Sequence, residues 1–119
     1  NVTSGSNNTA IGQSALALCT TGSNNTVVGR NAMSSLTEGT TNVGIGSQSL
    51  LSLTTGDANV AVGYGSLDAL TTADGNTGIG HASLGATTTG LRNTAVGYAS
   101  LLANTTANDR LIQQAIKIM

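Results

Sequence analysis

Asn93-Thr94-Ala95-Val96-Gly97 is the stretch that decides the fold, because it returns every 17 residues. The same pattern, Asn-[Thr/Val]-[Ala/Gly/Val]-[Ile/Val]-Gly, runs from Asn8 to Gly12, Asn25 to Gly29, Asn42 to Gly46, Asn59 to Gly63 and Asn76 to Gly80. Six copies at one spacing, without an insertion, mark a repeat architecture in which each unit stacks on the next. Counting positions 1 to 17 from the motif Asn, the units start at residues 8, 25, 42, 59, 76 and 93, and the array occupies residues 1–109.

The unit is built of strand and turn formers. Position 4 is Ile11, Val28, Ile45, Val62, Ile79 and Val96, always β-branched, as a pleated surface prefers. Position 2 (Thr9, Thr26, Val43, Val60, Thr77, Thr94) shares that face by the period of two. Both are expected to point inward. Position 3 (Ala10, Val27, Gly44, Ala61, Gly78, Ala95) is then expected to point outward, small enough for close approach to a neighbour. Position 9 is Leu16, Met33, Leu50, Leu67, Leu84 and Leu101, and position 12 passes from Cys19, Leu36, Leu53 and Leu70 to Thr87 and Asn104, so the core thins towards the C-terminus. Position 13 is always Thr, and position 15 is Gly22, Gly39, Gly56, Ala73, Gly90 and Ala107, suited to a second corner.

Two short strand-like segments and two turns per unit predict an all-β fold, a parallel β-roll or β-solenoid of six 17-residue coils. The stacked Asn side chains are expected to form a ladder along the coils and onto turn backbone. Residues 110–119 leave the pattern. Asn108 and Asp109 are candidate helix caps, and Leu111, Ile112, Ala115, Ile116 and Met119 fall at helical spacing. They predict a short C-terminal helix, the start of a coiled coil or a cap on the last coil.

Composition narrows the function. Four Lys/Arg against five Asp/Glu give a net charge of −1, with no basic stripe for phosphate, so nucleic acid is not an expected partner. No stretch approaches the ~20 apolar residues that span a bilayer, so direct membrane insertion is not expected. Nor does a charged segment followed by an apolar core mark a signal peptide. The pattern begins in mid-unit, as in a piece of a longer protein. With no Phe, Trp or Pro, and only Tyr64 and Tyr98 as aromatics, a thin regular rod fits better than a thick globular core.

Sites for chemistry are scarce. Val43-Gly44-Ile45-Gly46 and Asn76-Thr77-Gly78-Ile79-Gly80 do not complete a phosphate-cradling fingerprint. Cys19 sits in a leucine register and reads as a small buried hydrophobe. His81 has no second His or Cys to make a metal site, and the acids Glu38, Asp57, Asp68, Asp74 and Asp109 form no repeated carboxylate pair. Calcium-binding roll repeats need a regular Gly-Asp pattern, which is absent. No catalytic residue, cofactor or metal is predicted. Asn-x-Thr sequons at Asn1, Asn7, Asn24 and Asn104 come free in a chain this rich in Asn and Thr. Position 6, just past the motif Gly, varies most, from Gln13, Arg30 and Ser47 to Tyr64, His81 and Tyr98. Arg30, Tyr64, His81 and Tyr98 are therefore the candidate surface contacts, with the two tyrosines as anchors.

Asn-Thr-Ala-Val-Gly-Tyr-Ala-Ser-Leu (Asn93 to Leu101) and Asn-Val-Ala-Val-Gly-Tyr-Gly-Ser-Leu (Asn59 to Leu67) resemble the head repeats of YadA-like trimeric autotransporter adhesins. They resemble more closely the longer repeats of phage tail fibres and related trimeric bacterial surface fibres. The resemblance covers about the whole array and rests on its Asn, Ile/Val, Gly and Leu positions. It implies a left-handed roll, a homotrimer and an extracellular place on a cell surface or virion fibre. It also implies a role in cell adhesion, either attachment to a glycan or protein receptor or spacing. The alternative reading is an ice-binding or other ligand-binding β-solenoid, suggested by Thr20-Thr21 and its counterparts. An enzyme on a β-helix would need clustered acids or bases.

Overall fold

The computed structural model describes residues 4–113, and of Gln113 only the backbone. Seven three-residue strands follow one another, one per coil: β1 (Thr9–Ile11), β2 (Thr26–Val28), β3 (Val43–Ile45), β4 (Val60–Val62), β5 (Thr77–Ile79), β6 (Thr94–Val96) and β7 (Leu111–Gln113). They form one parallel sheet in sequence order, each residue paired with the one 17 further on, as Thr26 with Val43 and Val28 with Ile45. The chain is thus a β-solenoid of about six turns, all-β throughout the described residues. The second strand-like segment expected in each unit is absent as a strand. Positions 12 and 13 are held instead by a turn bond, such as Leu36 N–H to the Met33 carbonyl (3.2 Å), and by coil-to-coil bonds such as Thr37 N–H to the Thr54 carbonyl (2.9 Å).

Two tight features bend each coil. At the first corner the motif glycines have φ between 126° and 139° from Gly12 through Gly97, a region that disfavours any side chain. A Cβ built on Gly12, Gly29, Gly46, Gly63 or Gly80 would also stand under 3 Å from the backbone carbonyl of the next motif glycine. Four residues later the position-9 side chains sit in left-handed backbone, with φ of 54° at Leu16, 44° at Met33 and 51° at Leu50. That conformation costs about 1–2 kcal/mol for an L-residue. Burial of the leucine side chain offsets it by roughly 1.5–3 kcal/mol, and the twisted N–H still bonds outward to the next coil, as Leu50 does to the Ser66 carbonyl (3.0 Å).

The core is a set of columns running along the axis. Position 9 is buried from Leu16 to Leu84, and position 12 is buried from Cys19 through Leu70 to Thr87. The loss of leucine at Thr87 is accommodated by polar bonding, since its Oγ1 donates to the Asn104 carbonyl at 2.9 Å. The asparagine ladder forms as expected. Asn25, Asn42, Asn59, Asn76 and Asn93 are fully buried, and no buried side-chain polar atom among the described residues lacks a partner.

Two further expectations are corrected. The strand faces are reversed: position 3 points into the coil, with Val27, Ala61 and Ala95 fully buried, while position 4 points out, with Ile11 61% and Ile79 39% exposed. The coil is too thin for large side chains opposite position 9. A Cβ on Gly44 would lie 2.8 Å from the Met33 Cε, and one on Gly78 would lie 2.7 Å from the Ser66 Oγ. Small residues are therefore inside and β-branched ones outside. The second correction concerns residues 110–119. Leu111–Gln113 are strand β7 rather than helix, paired with β6 in the same register. Arg110 N–H donates to the Asn93 Oδ1 at 3.0 Å. The expected caps have other work, Asn108 accepting the Leu91 N–H and Asp109 pairing with Arg92. The remainder of the expected helix, residues 114–119, lies outside the described residues.

Candidate interaction surface

The outward strand face is a double ladder. Alternation places positions 2 and 4 on the same side. Since position 3 fills the interior, β1 to β6 present Thr9/Ile11, Thr26/Val28, Val43/Ile45, Val60/Val62, Thr77/Ile79 and Thr94/Val96 to the outside. The result is a continuous apolar stripe edged with threonine methyls and hydroxyls. Aliphatic residues aligned along a protein's exterior in this way mark an interaction surface more than scattered exposed ones do.

Past the glycine corner stands the position-6 column. Tyr64, His81 and Tyr98 occupy three consecutive coils and stack on one another. The Tyr64 and His81 ring centroids are 5.3 Å apart with planes at 21°, and those of His81 and Tyr98 are 5.1 Å apart at 15°. Arg30 lies in the same column but outside the stack, two coils from Tyr64 with Ser47 between them. The structure therefore brings together three of the four expected contact residues. Their juxtaposition was available from the sequence, because equal positions in consecutive units become neighbours in a parallel stack.

Of each threonine pair that suggested an ice-matching face, the first member is engaged within the stack. The Oγ1 atoms of Thr37, Thr54 and Thr71 donate to the Thr carbonyl one coil on, at 3.0–3.2 Å.

Charged groups are dispersed. Arg92 and Asp109 form a two-pronged pair at 2.7 and 3.1 Å across adjacent coils, exposed on both sides. The guanidinium's hydrogen bonds hold the Asp109 carboxyl below the usual carboxylate range, and the same contact raises Arg92. Asp57 accepts from the N–H and hydroxyl of Thr40, and Asp74 from the N–H of Asp57. These carboxylates thereby extend the coil-to-coil bonding. Partial burial raises the Asp68 carboxyl, against smaller lowering effects of its own and the Ala69 backbone N–H. Among the described residues no group of three or more His, Cys, Asp or Glu could hold a metal ion.

No protein-family model, curated protein or solved structure matches this chain.

Proposed function

We propose that this chain is a structural and adhesive segment of an extracellular fibre, a left-handed roll that associates as a homotrimer through its outward strand face. The observation that carries the reading is the contrast between inside and outside. Position 9 from Leu16 to Leu84 and position 3 from Val27 to Ala95 are buried and, among the described residues, no buried side-chain polar atom lacks a partner, while a regular ladder of Ile and Val stays at least partly exposed on β1 to β6. Covering that ladder contributes about 1 kcal/mol per half-exposed side chain, repeated in register along the rod. The threefold state, the handedness and the place on a cell surface or virion come from the likeness of the motif to trimeric fibre repeats. No catalytic role is proposed: charged side chains are few, and Asp57 and Asp74, which share a register, are engaged in coil-to-coil bonds.

Sedimentation tests the association. The parent is expected to run as a trimer at micromolar concentration, and Ile45→Lys with Ile79→Glu as a folded monomer, the two charges being of opposite sign and two coils apart. A parent that is a stable monomer overturns the proposal. The same face carries Thr9, Thr26, Thr77 and Thr94, which favours the ice-binding or other ligand-binding solenoid as second reading. A monomer that shows thermal hysteresis would establish it.

A further inference from the structure

We propose that Tyr64, His81 and Tyr98 form a ridge that binds an extended, uncharged glycan laid along the rod axis. This names a ligand class for the adhesive reading above and rests on it. The first support is preorganisation. Three exposed side chains would each lose rotamer freedom on binding, but here each ring is already placed by its neighbour, at 5.3 and 5.1 Å between centroids. Aromatic pairs at such separations favour offset over full face-to-face stacking, which leaves part of each ring and its polar tip available. Tyr64 is 52% and Tyr98 67% exposed.

The second support is chemical match. The ridge offers one flat ring per coil, each joining an apolar body to a polar tip, as phenol O–H or imidazole nitrogen. A pyranose chain has the complementary form, with apolar C–H faces, a hydroxyl rim and rings that repeat along its length at a comparable pitch. Nucleic acid is the other polymer that stacks on rows of aromatics, and its binding depends on Lys and Arg along the backbone. Here the nearest cation of the column, Arg30, is two coils from Tyr64, and the chain carries a net charge of −1. A neutral chain suits this surface.

Calorimetric titration with linear β-linked hexose oligosaccharides of two to six units tests the inference. Affinity is expected to rise up to about the length that covers three rings and then level off. Tyr98→Ala and Tyr64→Ala should each weaken binding roughly two- to tenfold. His81→Ala, which breaks the stack, should do likewise, and His81→Tyr should retain binding. Circular dichroism and sedimentation of the same variants report fold and assembly. The absence of saturable binding by the parent, or binding unchanged in the Tyr64→Ala/Tyr98→Ala variant, overturns the proposal. So does loss of oligomers in that variant with no glycan bound by the parent, which would make the ridge a subunit contact. A monomeric parent that binds the oligosaccharides through the ridge would leave this inference standing and remove the trimer.

Discussion

The Oδ1 of Asn42 accepts two hydrogen bonds from Asn59, one from its backbone N–H at 2.9 Å and one from its side-chain amide at 3.2 Å. The same Asn59 amide donates its other hydrogen to the Ala73 carbonyl at the second corner (2.9 Å), and the Asn59 Oδ1 receives the next residue of the ladder, Asn76, in the same way. One side chain thus ties three coils to one another and to the second corner. Asn59→Ala is expected to leave the Asn76 donors and the Ala73 carbonyl without partners in a buried column, at about 1–3 kcal/mol for each buried group. A loss of at least ~3 kcal/mol in urea unfolding is expected, with the transition splitting as the two halves of the array uncouple. A loss below about 0.5 kcal/mol would show that the ladder adds nothing to stacking.

Met33 and Gly44 share one volume. Since a Cβ on Gly44 would meet the Met33 Cε at 2.8 Å, Gly44→Ala should overpack the core and cost about 1–3 kcal/mol. Met33→Ala alone leaves a cavity and should cost about 2–5 kcal/mol. Together they should cost less than the sum of the two, and a double-mutant cycle measures the difference. Strict additivity would mean that the backbone, rather than Met33, sets the size limit at position 3.

Asp68 should make stability fall as pH rises. Its folded carboxyl is raised by burial, so the folded state keeps its proton to higher pH than the unfolded chain, whose group titrates near ~4. Between those two values the unfolded state binds fewer protons, and stability decreases with pH. Asp68→Asn is therefore expected to be the more stable form at pH 7, with its advantage over the parent vanishing below about pH 3. The side chain is partly exposed and screened, which limits the gain to about 0.5 kcal/mol. Thermal melts of both proteins at several pH values check the sign.

Cys19 is fully buried, with its thiol 3.5 Å from the Gly22 carbonyl. A bulky thiol reagent should label the native protein only at the rate at which its first coils open. Labelling as fast as in urea would place Cys19 outside the core.

The column order was legible in the sequence because a fixed spacing turns equal positions into neighbours. Asn8 to Asn93, Gly12 to Gly97 and Leu16 to Leu84 needed only the period to be assigned as ladder, corner and core. The exposure of position 6 was legible too, since a position that accepts Gln, Arg, Ser, Tyr and His cannot be buried in one shape of cavity. The stacking of Tyr64, His81 and Tyr98 followed from the same register, although how their rings meet did not.

The sequence by itself determined a stack of 17-residue β-coils, because backbone bonding from coil to coil and the Asn side chains that repeat it depend only on identical spacing. Only the tertiary structure decided which face of each strand is inside. Three residues in alternation fit either orientation, and the choice is made by the narrow space opposite Met33 and the other position-9 side chains, which admits Ala, Gly or one Val but not the Ile/Val ladder. It likewise decided the start of the tail. Leu111 and Ile112 suit a helix by spacing, yet the edge of β6 and the Asn93 Oδ1, which accepts the Arg110 N–H, give that segment backbone bonds at once, where an isolated short helix must first bear the cost of nucleation.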